Sequence, residues 1–151
     1  MKEPALLVKA LRPASPLCAR VEPGLSALPA KDRSLLRSAI RPLVGDSLDL
    51  DAASREELPE DNRWDYILSV PDKARLVGVE PHQAKDSEVS VVIAKKNGAK
   101  AYLRAHLVDG KHVSRWIWVS HGKVGFSNTE RSRRRLDQEG IEFQGREVRD
   151  L

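Results

Sequence analysis

The sequence predicts an α/β fold, a mixed β-sheet flanked by helices. Short apolar runs with strand character occupy residues 64–70, 75–82 and 113–120, bounded by turn-forming residues. Between and after them lie two stretches with helical apolar spacing and capping residues. The composition, 40% hydrophobic and 32% charged, is that of an ordinary globular domain.

Residues 1–30 hold Pro4, Pro13, Pro16, Pro23 and Pro29, a spacing that forbids a long helix and reads as a flexible, Pro-rich lead-in. Residues 31–151 are then a single α/β domain, large enough for one hydrophobic core. Asp32 is placed to cap a helix carrying Leu35, Leu36, Ala39, Ile40 and Leu43, ending near Pro42 and Gly45. Residues 46–62 are acidic and irregular, with one or two helical turns over 52–58. Pro71 and Asp72 turn strand 64–70 into strand 75–82. Asp86 or Ser87 caps a long helix to about residue 107, with Val89, Val92, Ile93, Lys96 (by its stem), Ala99, Leu103 and Leu107 inward. The helix is preferred to a strand over 91–93 because cap and spacing agree, although Asn97-Gly98 is a weak point. A strand at 113–120 puts Ser114, Trp116, Trp118 and Ser120 on one face, and a short strand follows at 124–126. Asn128 or Thr129 caps a basic helix over 130–139, ended by Gly140, before a last strand at 141–148.

Three residues on the first two strands stand out. A hairpin centred on 71–74 sets Asp65 opposite Glu80, and strand alternation puts His82 on the same face. Two opposed carboxylates repel each other, and a cation or substrate between them relieves the repulsion. The same residues also have a purely structural reading, in which Asp65 pairs with Arg63 or Arg75 and Glu80 with a helix lysine.

Asp65 on one strand, Glu80-Pro81-His82 on the next and a long helix after them resemble the PD-(D/E)XK nuclease superfamily over residues 60–150. The resemblance implies a restriction-endonuclease-like αβββαβ core. It implies that Asp65 and Glu80 are metal ligands for Mg²⁺, whose bound water attacks a phosphodiester. The family's usual lysine is replaced here by His82, an imidazole able to act as a base near neutral pH. Lys95 on the following helix, or Lys85, is the other source of the cation. The catalytic set implied is thus Asp65, Glu80, His82 and Lys95. A non-catalytic module binding nucleic acid or protein on the same fold is the alternative. Nucleases of this kind often act as homodimers, which is therefore one expected assembly.

The formal net charge is +4, and after residue 80 there are 14 Lys/Arg against 9 Asp/Glu. That excess suits a polyanionic partner, DNA or RNA. Arg131, Arg133, Arg134 and Arg135 are the candidate nucleic-acid contacts, with Arg131 and Arg135 on one helix face. Their structural alternative is a solvated helix with an internal Glu130–Arg134 pair. Trp116 and Trp118 are expected in the core rather than stacked on bases. There is no Walker loop, no G-x-G-x-x-G and no G-x-S-x-G, so nucleotide-dependent and serine-hydrolase chemistry lack support. The single Cys18 excludes an internal disulfide and a Cys-based zinc cage, which suits a reducing, cytoplasmic setting. No apolar run nears the length of about 18 residues that spans a membrane, so no membrane partner is expected.

Overall fold

The computed structural model describes residues 5–59, 62–127 and 129–151, so Pro4, the acidic pair at 60–61 and Asn128 as a helix cap lie outside the described residues. The elements run α1 (Leu6–Ala10), β1 (Glu22–Pro23), α2 (Ala30–Arg33), β2 (Asp46–Asp49), α3 (Leu50–Ser54), β3 (Tyr66–Val70), β4 (Arg75–Pro81), β5 (Ala84–Lys85), α4 (Val89–Arg104), β6 (Val113–Val119), β7 (Val124–Gly125), α5 (Thr129–Gln138) and β8 (Ile141–Phe143). The fold is a mixed α/β one, as the sequence predicts. Among the described residues, six strands form the main sheet in the order β1-β2-β3-β4-β6-β8, and β5 pairs with β7 apart from it. Strands β1 to β4 are antiparallel neighbours, whereas β6 runs parallel to β4 and β8 parallel to β6. Parallel neighbours need a crossover, which α4 and α5 supply. From β2 to β6 the main sheet gains three antiparallel strands, with α3 between β2 and β3, and then the parallel β6 after β5 and α4.

The β3–β4 register runs from Tyr66 opposite Val79 to Val70 opposite Arg75, which makes Asp65 and Glu80 the next rung. Alternation sends Ile67, Leu76, Trp116 and Trp118 to the helical side, where they pack with Leu7, Val92, Ala99, Leu103 and Leu136. Leu68, Val77, Val79, Ile117 and Val119 face the other way, under Leu28, Leu36, Ile40 and Val148. Both faces of the sheet are therefore covered. Gly78 permits a close approach on the helical side: a Cβ there would lie 2.8 Å from Trp116 Cε3 and 2.9 Å from Trp64 Nε1. The two indoles meet edge to face at 5.0 Å.

Several expectations are corrected. The lead-in is packed against the domain: Leu7, Ala10, Leu11, Leu17 and Leu28 are buried. Prolines limit helix length but do not prevent burial, and the buried Asp46 carboxylate accepts the Leu7 and Val8 amides to start α1. Residues 46–49, expected to be irregular, form β2, whose Leu48 lies in the core. The helix expected from Asp32 to residue 43 is only α2 and a 3₁₀ turn at Arg41–Leu43. Asp32 lies inside α2, whose N-cap position is Pro29, and its Oδ2 accepts a hydrogen bond from the Tyr66 hydroxyl at 2.5 Å. The last strand stops at Phe143 rather than 148, because the chain turns at Gly145 (φ 74°). Val148 then crosses to bridge Leu36. Helix α4 runs through Val91–Ile93 and past Gly98 unbroken.

Candidate active site

Glu80 and Asp65 lie on the face of the sheet turned toward α4. Lys95 follows the buried Val92 by three residues and precedes the buried Ala99 by four, so the helix turns it toward the sheet. Glu80 is fully buried, at 0% exposure. Its Oε1 accepts the Asp65 backbone N–H at 2.9 Å, and its Oε2 accepts Lys95 Nζ at 2.6 Å. The same ammonium stands 3.9 Å from Asp65 Oδ1. His82 Nδ1 is 3.5 Å from Glu80 Oε2, and its Nε2 is 3.6 Å from Glu88 Oε1. Trp118 Nε1 donates to the His82 carbonyl at 2.9 Å, which ties this segment to β6.

The structure thus brings together Asp65, Glu80, His82 and Lys95. Lys85, exposed on β5, pairs its strand with β7. Glu88 carries no signal in the sequence, where it is simply an acidic residue in a helix's first turn. Only the return of the chain after β4 sets it against His82. Arg63 pairs with Asp51 at 2.8 Å, not with Asp65, and Arg75 stands at the other end of β4. The Glu80–Lys95 pair belongs equally to the catalytic and the structural reading. Asp65 separates them: among the described residues its carboxylate accepts no hydrogen bond, and its side chain is 27% exposed.

The electrostatics follow from burial and the shared Glu80. Burial first, and Glu80 second, push the Asp65 carboxyl up from the ordinary 3.8 to about 8, against the pull of Lys95. Burial opposes the Lys95 charge, yet Glu80 and Asp65 hold its pKa above the ordinary lysine value. Contact with Glu80 raises the His82 imidazole, with burial working the other way.

The Asp65 shift has a measurable sign. Between about pH 4 and 8 the folded protein keeps a proton on Asp65 that the unfolded chain has released. Stability in EDTA is therefore expected to fall as pH rises through that window, by at most about 1.4 kcal/mol per pH unit for one proton. Urea denaturation of wild type and Asp65→Asn at several pH values checks this. Parallel pH profiles for the two proteins would refute it.

The arginine run divides. Arg131 and Arg135 line a recess of about 380 Å³ with Asp86, Ser87, Ser127 and Ser132, and Arg135 donates to Ser90 Oγ at 2.8 Å. Arg134 pairs with Glu130 at 3.3 Å on the exposed side, and Arg133 borders a different recess beside Phe143. Trp116 and Trp118 are buried in the core. No helix among the described residues is long and apolar enough to cross a membrane. No protein-family model, curated protein or solved structure matches the chain.

Proposed function

We propose that this protein hydrolyses phosphodiester bonds of nucleic acid with the help of Mg²⁺ held by Asp65 and Glu80. The observation that carries the reading is the meeting of Asp65, Glu80 and Lys95 on one face, with no arginine capping either carboxylate among the described residues. It also rests on the resemblance of Asp65 and Glu80-Pro81-His82 to the pattern of the PD-(D/E)XK nucleases. The donor set fits Mg²⁺: two hard carboxylate groups on neighbouring chain segments, one of them half-buried and, among the described residues, accepting no hydrogen bond. When bound, the cation lowers the pKa of its water and neutralises phosphate charge. Glu80 positions the Asp65 backbone through its N–H, and Lys95 Nζ donates to Glu80 while facing Asp65. Lys95 is the cation for orienting the water or the phosphate, and His82 carries a proton toward Glu80 at Nδ1. Arg131 and Arg135 offer guanidinium groups for the polyanion's backbone.

A second reading, a binding module without catalysis, draws support from Glu80, whose two oxygens are already engaged by Asp65 N–H and Lys95. Titration with Mg²⁺ and Mn²⁺, watched at the Asp65 and Glu80 amides, tests the first. Cleavage assays on single- and double-stranded DNA and RNA complete the test. Metal-dependent cleavage lost in Asp65→Asn is the expected result. Binding without turnover selects the second reading, and neither binding nor turnover overturns both.

A further inference from the structure

A second recess, of about 370 Å³, opens where the C-terminal end of α4 meets the start of β6. The size is that of a small-molecule site. Leu103 and Trp116 give it an apolar floor, and Lys100, Arg104, Lys111 and His112 surround it. Among the described residues, no acidic side chain lines it. The neighbouring Asp109 is occupied by Arg12, at 2.8 Å. Among the described residues, none of the four basic side chains makes an ion pair. Gathering three formal cations around a concavity costs repulsion that an anion in their midst would reverse. The floor is rigid, because Trp116 is 6% exposed and locked edge to face on Trp64 over Gly78. Such a site is built before its ligand arrives, which lowers the entropic cost of binding.

We propose that this recess binds a small organic anion with a planar apolar body and a phosphate head, the chemistry of a nucleoside monophosphate. Arg104 and the two lysines match a phosphate, with the guanidinium fork available for bidentate contact. The half-buried Val113 and the aliphatic stems of Lys100 and Arg104 offer the apolar surface that inorganic phosphate alone would not use. The recess is independent of the Asp65 site. The two share no lining residue: Val113 pairs with Leu76 at the start of β4, roughly 13 Å along the sheet from Glu80, and the buried Trp116 lies between them.

The test is a titration of the whole chain with AMP in EDTA, following the amide resonances of residues 100–116. Inorganic phosphate and adenosine are titrated in parallel. AMP is expected to saturate with shifts confined to that segment, and to bind at least about ten-fold more tightly than either fragment. The exposed double substitution Lys100→Glu, Arg104→Glu should weaken AMP at least about ten-fold, the effect of losing charge-assisted contacts. Asp65→Asn should leave AMP binding unchanged, so failure here and failure of the nuclease reading are separable. Absence of shifts at millimolar AMP, or undiminished affinity after charge reversal, overturns the proposal. Equal affinity for inorganic phosphate overturns the organic-ligand assignment.

Discussion

Lys95→Met is expected to slow Mg²⁺-dependent phosphodiester cleavage by about 10²–10⁴-fold, the range for losing one positioned proton donor or charge. Geometry sets this expectation. Lys95 Nζ is the cation that touches Glu80 at 2.6 Å and also faces Asp65 at 3.9 Å, so it stands between the two carboxylates. Of Asp65 and Glu80, His82 approaches Glu80 alone among the described contacts, to 3.5 Å, which is ion-pair reach rather than a good hydrogen bond. His82→Asn is therefore expected to cost less than about ten-fold. Lys95→Arg should not restore activity, because a planar fork does not replace a compact ammonium in a contact this short. Single-turnover rates at saturating Mg²⁺ measure these effects, with circular dichroism confirming the fold. Wild-type turnover in Lys95→Met alongside a large loss in His82→Asn would reverse the assignment and make the imidazole the working group.

The site is partly legible in the sequence because its geometry is local. Two strands joined by a four-residue turn leave little freedom of register, so Asp65 opposite Glu80 follows from the turn's position alone. Lys95 on α4 follows less directly: a single step along the helix separates a lysine that reaches Glu80 from Lys96, whose Nζ instead bonds the Glu139 carbonyl at 2.5 Å. Lys96 is legible as a buried stem, but its choice of partner depends on the end of α5, some forty residues away. Non-local contacts account for most of what the sequence hides. Strand β2 is four residues long, and Asp46, Ser47 and Asp49 give it the look of a loop. Its place is secured by pairing with β3 and by Asp46 accepting hydrogen bonds from the Ser69 hydroxyl and the start of α1. Buried acids read as surface when their donors lie far off in sequence. The lead-in misleads for the same reason, since proline content reports on helix length and is silent about Leu7 and Leu17 packing into the core.

Glu80→Ala is expected to destabilise the fold by about 3–5 kcal/mol, the cost of breaking a buried ion pair from one side. It strands the Lys95 ammonium, only 16% exposed, and removes the acceptor of the Asp65 N–H. Lys95→Met should cost less, about 1–3 kcal/mol, because the neighbouring imidazole of His82 still offers Glu80 a partial counter-charge. The informative variant is the double substitution Glu80→Gln, Lys95→Met. Glutamine keeps an oxygen for the Asp65 N–H while both buried charges disappear, so desolvation is no longer opposed to folding. Its stability should return to within about 1 kcal/mol of wild type, giving a strong non-additive coupling in urea denaturation at pH 7. Losses that simply add would mean the two side chains do not depend on each other, contrary to their 2.6 Å contact. A fully folded double variant without cleavage would separate the two roles of the pair: folding does not require these charges, so their burial is maintained for what they do at the site.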